Sequence, residues 1–141
     1  MAERLADERI QRFLAVERVV VLATVEADGA PHAMPMWFLA DPDRLTMVSV
    51  ANLRKLANLH RDPRCCVVAQ GGTRSHDIRG VTLWGRAEFP PDSAERRSLA
   101  ERLVERYHPD LERRWGGRTM PADRVLFRIA PDRVQSWGLS D

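Results

Sequence analysis

Between Val19 and Val50 three β-type runs are separated by turns too short to hold any other element. Val19 to Val25 is a continuous run rich in β-branched residues, the pattern of a buried strand. Asp28-Gly29 supplies a hairpin turn at its end, within a wider loop from Glu26 to Pro31. His32 to Leu39 is the return strand, and Asp41-Pro42-Asp43 turns the chain into a third, Leu45 to Val50. Parallel neighbours need a crossover of roughly a dozen residues or more, which neither turn can supply. These strands must therefore run antiparallel.

The remainder extends that pattern. Ala6, Ile10, Phe13 and Leu14 repeat at helical spacing and predict an amphipathic N-terminal helix. Asn52 is placed to cap a second helix, with Leu53, Leu56 and Leu59 on one side and Pro63 just beyond its end. Cys65 to Gln70 and Val81 to Phe89 read as strands, joined by the Gly-rich loop Gly71 to Asp77. Asp92 with Glu95 forms a capping box for the longest helix, whose core face is Leu99, Ala100, Leu103, Val104 and Tyr107. His108 to Asp123 reads as a loop. Val125 to Ala130 and Arg133 to Trp137 finish the chain as two strands about the turn Pro131-Asp132.

The expected fold is α+β and mainly β: six or seven antiparallel strands with about three helices. Residues 1–141 read as one domain, with no repeat or linker. Closing such a sheet into a small barrel removes its exposed edges. The runs His32–Leu39 and Leu45–Val50 are apolar on both faces, so the outer face needs a helix, a ligand or a second subunit to cover it. A homodimer is the simplest cover.

Composition narrows the function. Twenty acidic residues against 22 basic ones give a net charge of +2, too little to hold nucleic acid by a global field. Aromatics are only 6% of residues and do not interleave with arginine as a base-stacking strand requires. No apolar run is long enough for a membrane helix, and Ala2 to Arg9 is too charged for a signal peptide. Cys65 and Cys66 are neighbours that point to opposite faces of a strand, so they suit neither a shared disulfide nor a shared metal. A soluble cytoplasmic protein with reduced thiols is expected.

Among the 22 basic residues only Lys55 is lysine. It stands in Asn52-Leu53-Arg54-Lys55, where a strand feeds the start of a helix. Backbone N–H groups, the positive end of the helix dipole and two cationic side chains converge there, an arrangement that binds anions. A solvated lysine on a helix face is the plainer reading of the same residues. A phosphate on a small-molecule ligand is the sharper one.

Familiar catalytic patterns are missing. His32, His60, His76 and His108 have no metal-ligand spacing among themselves or with the cysteines, and no nucleophile elbow or phosphate-binding glycine loop is present. No catalytic side chain can be assigned. An enzyme built this way would draw its chemistry from a bound cofactor.

Leu22-Ala23-Thr24-Val25, Asp28-Gly29-x-Pro31-His32 and Pro35-Met36-Trp37-Phe38 resemble the opening of the pyridoxamine 5′-phosphate oxidase-like split β-barrel superfamily. Arg54-Lys55-x-x-Asn58-Leu59-x-Arg61-Asp62-Pro63-Arg64 is similar to the helix segment of its deazaflavin-dependent branch. Val81-x-Leu83-x-Gly85-x-Ala87 and Pro131-x-x-Val134-x-x-Trp137 resemble two later strands of that branch. The likeness runs from about residue 8 to residue 138.

The resemblance implies a homodimer with two flavin-type cofactors in clefts at the interface. It places Arg54 and Lys55 on the cofactor phosphate, with Ser49 beside them. Met34, Pro35, Met36 and Trp37 would run along the tricyclic ring, while Arg79, Gly80 and Trp137 would complete the cleft. Ordinary interface packing is the alternative for Trp37 and Trp137. True pyridoxamine phosphate oxidases carry a basic residue where this chain has Met34, and their basic C-terminal signature has no match in Gly138 to Asp141. The expected cofactor is therefore the deazaflavin coenzyme F420, with FMN as the alternative. The expected activity is hydride transfer to a small conjugated acceptor, for which His32 or His76 could supply a proton. A non-catalytic module holding a flavin or haem is the other reading. No metal, nucleic-acid or membrane partner is expected.

Overall fold

The hairpin signals are realised where the residues demand them. The computed structural model describes residues 2–140. Strand β1 (Val20–Val25) pairs antiparallel with β2 (Pro31–Met36), and Gly29 takes the positive φ of 90° that the turn between them requires. Pro31 and Pro35 cannot donate to a second neighbour, and β2 is accordingly an edge strand.

The return run does not stay extended to Leu39. It breaks after Met36 and resumes as the short strand β3 (Leu39–Ala40), leaving Trp37 and Phe38 in the gap. The Phe38 N–H donates to the Tyr107 hydroxyl at 3.0 Å, so a residue 69 positions away takes the hydrogen bond that a ladder would have used. Strand β4 (Leu45–Val50) follows as expected.

Helix α1 (Glu8–Val16) buries Ile10, Phe13 and Leu14. Helix α2 (Arg54–Arg61) buries Leu56 and Leu59 against the sheet, and Asn58 Nδ2 donates to the buried Thr24 Oγ1 at 3.0 Å. Its cap position is Leu53 rather than Asn52, and no side chain caps it. Strands β5 (Arg64–Gly71) and β6 (Arg79–Glu88) pair along their lengths.

Helix α3 (Ala94–Arg106) starts from Ser93, whose hydroxyl accepts from the Arg96 N–H at 3.2 Å. The predicted Asp92–Glu95 box is not formed, because Ser93 stands one residue closer to the first turn and Asp92 instead pairs with Arg97 at 3.4 Å. The stretch read as a loop from His108 to Asp123 contains a fourth helix, α4 (Asp110–Trp115), which buries Leu111 and Trp115. Tyr107, Leu111 and Trp115 repeat every four residues, a helical signal hidden among charges and glycines.

The two predicted C-terminal strands are one, β7 (Arg124–Trp137). Pro131 does not turn the chain. It sits opposite Gly85 at a register shift in the β6–β7 ladder, where a residue without an N–H is tolerated.

Seven antiparallel strands in the order β2-β1-β5-β6-β7-β4-β3 thus form a curled half-barrel. Its interior holds Leu22, Phe38, Met47, Val67, Leu83 and Phe127. A second cluster joins α3 and α4 to Leu39 and Leu126, with Val48 packed against it, so helices cover the outer face of β4. The outer face of β2 has no such cover, and Ala33 and Pro35 are exposed. No helix among the described residues is long and apolar enough to cross a membrane.

Candidate functional site

A cavity of about 400 Å³ opens between the end of β2, the end of β4 and the starts of α2 and β7, with α3 and α4 behind it. That volume lies within the range of small-molecule sites. Six of the residues singled out in the sequence line it: Met34, Pro35, Met36 and Trp37 along one wall, Ser49 from β4, and Lys55. Lys55 reaches it from the first turn of α2.

Lys55 is the unusual member. It is only 4% exposed, and among the described residues its Nζ has a single partner, the Met34 Sδ at 3.3 Å. Among the described residues no carboxylate pairs with it. Burial pushes its pKa below the ordinary 10.5. A thioether is a weak acceptor, so the ammonium stands at the cavity with almost nothing among the described residues to balance its charge. The uncapped first turn of α2 adds N–H groups with no side-chain acceptor on the same side of the helix start. A buried cation at an open cavity is the arrangement a phosphate would complete.

Arg54 does not join it. Its guanidinium is largely exposed and pairs with Glu26 at 3.4 Å, outside the cavity lining. Arg79, Gly80 and Trp137 form a separate group at the far end of the β6–β7 ladder. Trp137 is registered opposite Gly80 and covers it, so a Cβ there would lie 2.5 Å from the indole ring. Within one protomer the ten predicted residues fall into the cavity group, this second group and the exposed Arg54.

The sequence left other lining residues unrecognised. Trp37 stacks on Tyr107 with centroids 4.5 Å apart and planes 9° from parallel. Tyr107 is fixed in turn: its hydroxyl receives the Phe38 N–H and the Arg106 Nε–H (3.2 Å), and lies 2.9 Å from the Arg18 carbonyl it can donate to. The Arg114 guanidinium lies 5.6 Å from the Trp37 ring centroid, and Arg124 enters from β7. The four-residue spacing of Tyr107, Leu111 and Trp115 could have brought α4, and with it Arg114, to this wall.

No histidine lines the cavity. His60 stacks on Phe89 at 4.2 Å, His108 pairs with Glu112 at 3.1 Å, and His76 is exposed. His32 lies on β2 with its Nδ1 buried and unpartnered. The Cys65 thiol is pushed up to about 12 by burial and that of Cys66 is also raised, so neither is held as a thiolate. Among the described residues no cluster of His, Cys, Asp or Glu could hold a metal.

Comparison with known proteins agrees with this architecture. The family model described as Pyridoxamine 5′-phosphate oxidase matches residues 6–138. A conserved hypothetical protein from Mycobacterium tuberculosis is 28% identical, with a TM-score of 0.78 over 93% of this chain and 83% of that one. An FAD-binding protein from Mesorhizobium loti is 23% identical, with a TM-score of 0.70 over 89% of this chain and 88% of its own. The heme storage protein HutZ from Vibrio cholerae is 19% identical, with a TM-score of 0.77 over 97% and 96% of the two chains. The chain belongs to the pyridoxamine 5′-phosphate oxidase family.

Proposed function

We propose that this family member is an oxidoreductase that holds a phosphate-bearing flavin-type cofactor in the Lys55 cavity, with coenzyme F420 as the preferred ligand and FMN the alternative. The observation that carries the reading is Lys55 itself, a buried ammonium facing a cavity with only a thioether for company. A phosphate would turn that cost into a charge-assisted contact. Met34, Pro35 and Met36 offer an apolar strand beside which a tricyclic ring could lie, as the uncharged run from Ala33 to Phe38 anticipates. The structural likeness to proteins named for FAD binding and heme storage supports a planar cofactor.

The bound group would supply hydride chemistry. The chain's residues would position it and keep water out, and Lys55 would hold its phosphate. The acceptor is a small conjugated molecule admitted beside Trp37. Val19, Val50 and Leu53 line the cavity yet remain 36–46% exposed, and Trp137 stands uncovered at 37%. A second copy of the chain would cover such surface and bring an Arg79–Gly80–Trp137 group to its partner's cavity. The proposed working unit is therefore a cytoplasmic homodimer.

Fluorescence titration with oxidised F420 and with FMN, against Lys55→Ala, tests the assignment. Micromolar binding of F420 with about ten- to hundredfold weakening in the variant is expected, at roughly 1.4 kcal/mol per decade for loss of one charge-assisted contact. Preference for FMN moves the protein to the flavin branch. Binding of neither ends the flavin reading and makes haem the next ligand to titrate.

A further inference from the structure

Three cations, Lys55, Arg114 and Arg124, line the cavity, and among the described residues no carboxylate does, in a chain with 20 acidic residues. The three are not equivalent. Arg124 is neutralised by Asp123 at 2.6 Å. Lys55 is buried against Met34. Arg114 is exposed and lies over the Trp37 ring, while its neighbour Arg113 pairs with Asp110 at 3.9 Å. Two adjacent arginines on one helix thus differ, and the one on the cavity has no carboxylate partner among the described residues.

Lys55 and Arg114 serve different places. Lys55 touches Met34 and Arg114 lies over Trp37, on the two sides of the break after Met36. Trp37 is held in place by its stack on the buried Tyr107. A phosphate on Lys55 would leave the Arg114 guanidinium unpaired beside a fixed aromatic surface. A guanidinium binds carboxylates through two parallel hydrogen bonds, and the part of the indole that lines the cavity offers apolar contact to the edge of a conjugated plane.

We propose that Arg114 and Trp37 form an acceptor subsite, selecting planar conjugated acids by their carboxylate. This deepens the function proposed above, since it names the class of molecule that shares the cavity with the cofactor. Arg114 takes the carboxylate, and Trp37 takes one edge of the conjugated plane.

The test compares trans-cinnamate with cinnamamide, a matched pair differing in charge, by quenching of tryptophan fluorescence with and without saturating F420. Wild type is expected to bind the acid about tenfold more tightly, one charge-assisted contact at a partly solvated site. Arg114→Gln should bring acid and amide within about twofold, and Lys55→Ala should leave the preference intact. F420 and FMN affinities should be unchanged in Arg114→Gln. Equal affinities in wild type, no binding of either probe, or a preference that survives Arg114→Gln overturns the subsite. So does cofactor binding that falls in Arg114→Gln as far as in Lys55→Ala, which would assign Arg114 to the cofactor. Acid preference lost in Arg114→Gln, in a protein that binds neither F420 nor FMN, would sink the cofactor reading and leave the subsite standing.

Discussion

Two buried polar side chains flank the cavity wall, and they are treated in opposite ways. Tyr107, on the α3 side, is 2% exposed, and its hydroxyl receives two N–H groups and can donate to a carbonyl. Its ring is stacked on Trp37 and has the Arg18 guanidinium 4.7 Å above it. Lys55, on the α2 side, is 4% exposed and has one weak partner. A satisfied buried group fixes the fold around it. One left with a weak partner costs stability in the empty protein, a cost that a bound anion would offset.

Removing the satisfied partner should do the most damage. Tyr107→Ala is expected to cost about 3–5 kcal/mol, from the lost ring and the orphaned groups around it, and denaturant unfolding measures it. Tyr107→Phe separates the two parts. It should cost about 1–3 kcal/mol, because the Phe38 N–H loses its acceptor while the stack survives. A change below about 0.5 kcal/mol for Tyr107→Phe would mean that the hydroxyl does not set the break after Met36.

Lys55→Met should go the other way. Replacing the charge with a thioether chain of similar length is expected to raise the stability of the empty protein by about 1 kcal/mol while losing phosphate-dependent binding. Loss of stability together with unchanged binding would show that Lys55 is structural. The pH dependence sharpens this. The folded-state pKa lies below 10.5, so the folded protein sheds the proton before the unfolded chain does. Below the lowered value both states are protonated and the burial penalty is felt in full. Between that value and 10.5 the unfolded state binds more protons, so wild-type stability should rise with pH relative to Lys55→Met and level off above 10.5. A flat difference across that window would mean the ammonium is not desolvated.

The smallest effect is expected next door. Arg54→Ala removes an exposed ion pair with Glu26, so stability should change by less than about 0.5 kcal/mol and cofactor affinity by less than about threefold. A loss matching that of Lys55→Ala would show that Arg54 swings into the cavity when ligand binds.

Much of this was legible beforehand, because local signals and final structure agree over most of the chain. The Asp28-Gly29 hairpin, β4, α2 and the β5–β6 ladder follow from turn chemistry and apolar periodicity. The misread places are those where a distant group overruled a local one. The β2–β3 break depends on Tyr107. The continuity of β7 depends on Gly85 across the ladder, where any Cβ would strike the Ala130 carbonyl. The cap of α3 is Ser93 rather than the neighbouring Asp92, because both are good caps and only the chain's path chooses between them.

The site divides in the same way. Sequence alone determined that the chain forms a turn-rich antiparallel sheet, that its single lysine stands where a strand meets a helix, and that an uncharged strand runs nearby. Those facts depend on neighbours in the chain, which a sequence displays directly. That Lys55 is buried while Arg54 is not, and that α4 delivers Arg114 to Trp37, was decided only by tertiary structure. Adjacent residues on a helix point about 100° apart, so the packing of α2 against β1 alone chooses which cation faces the cavity.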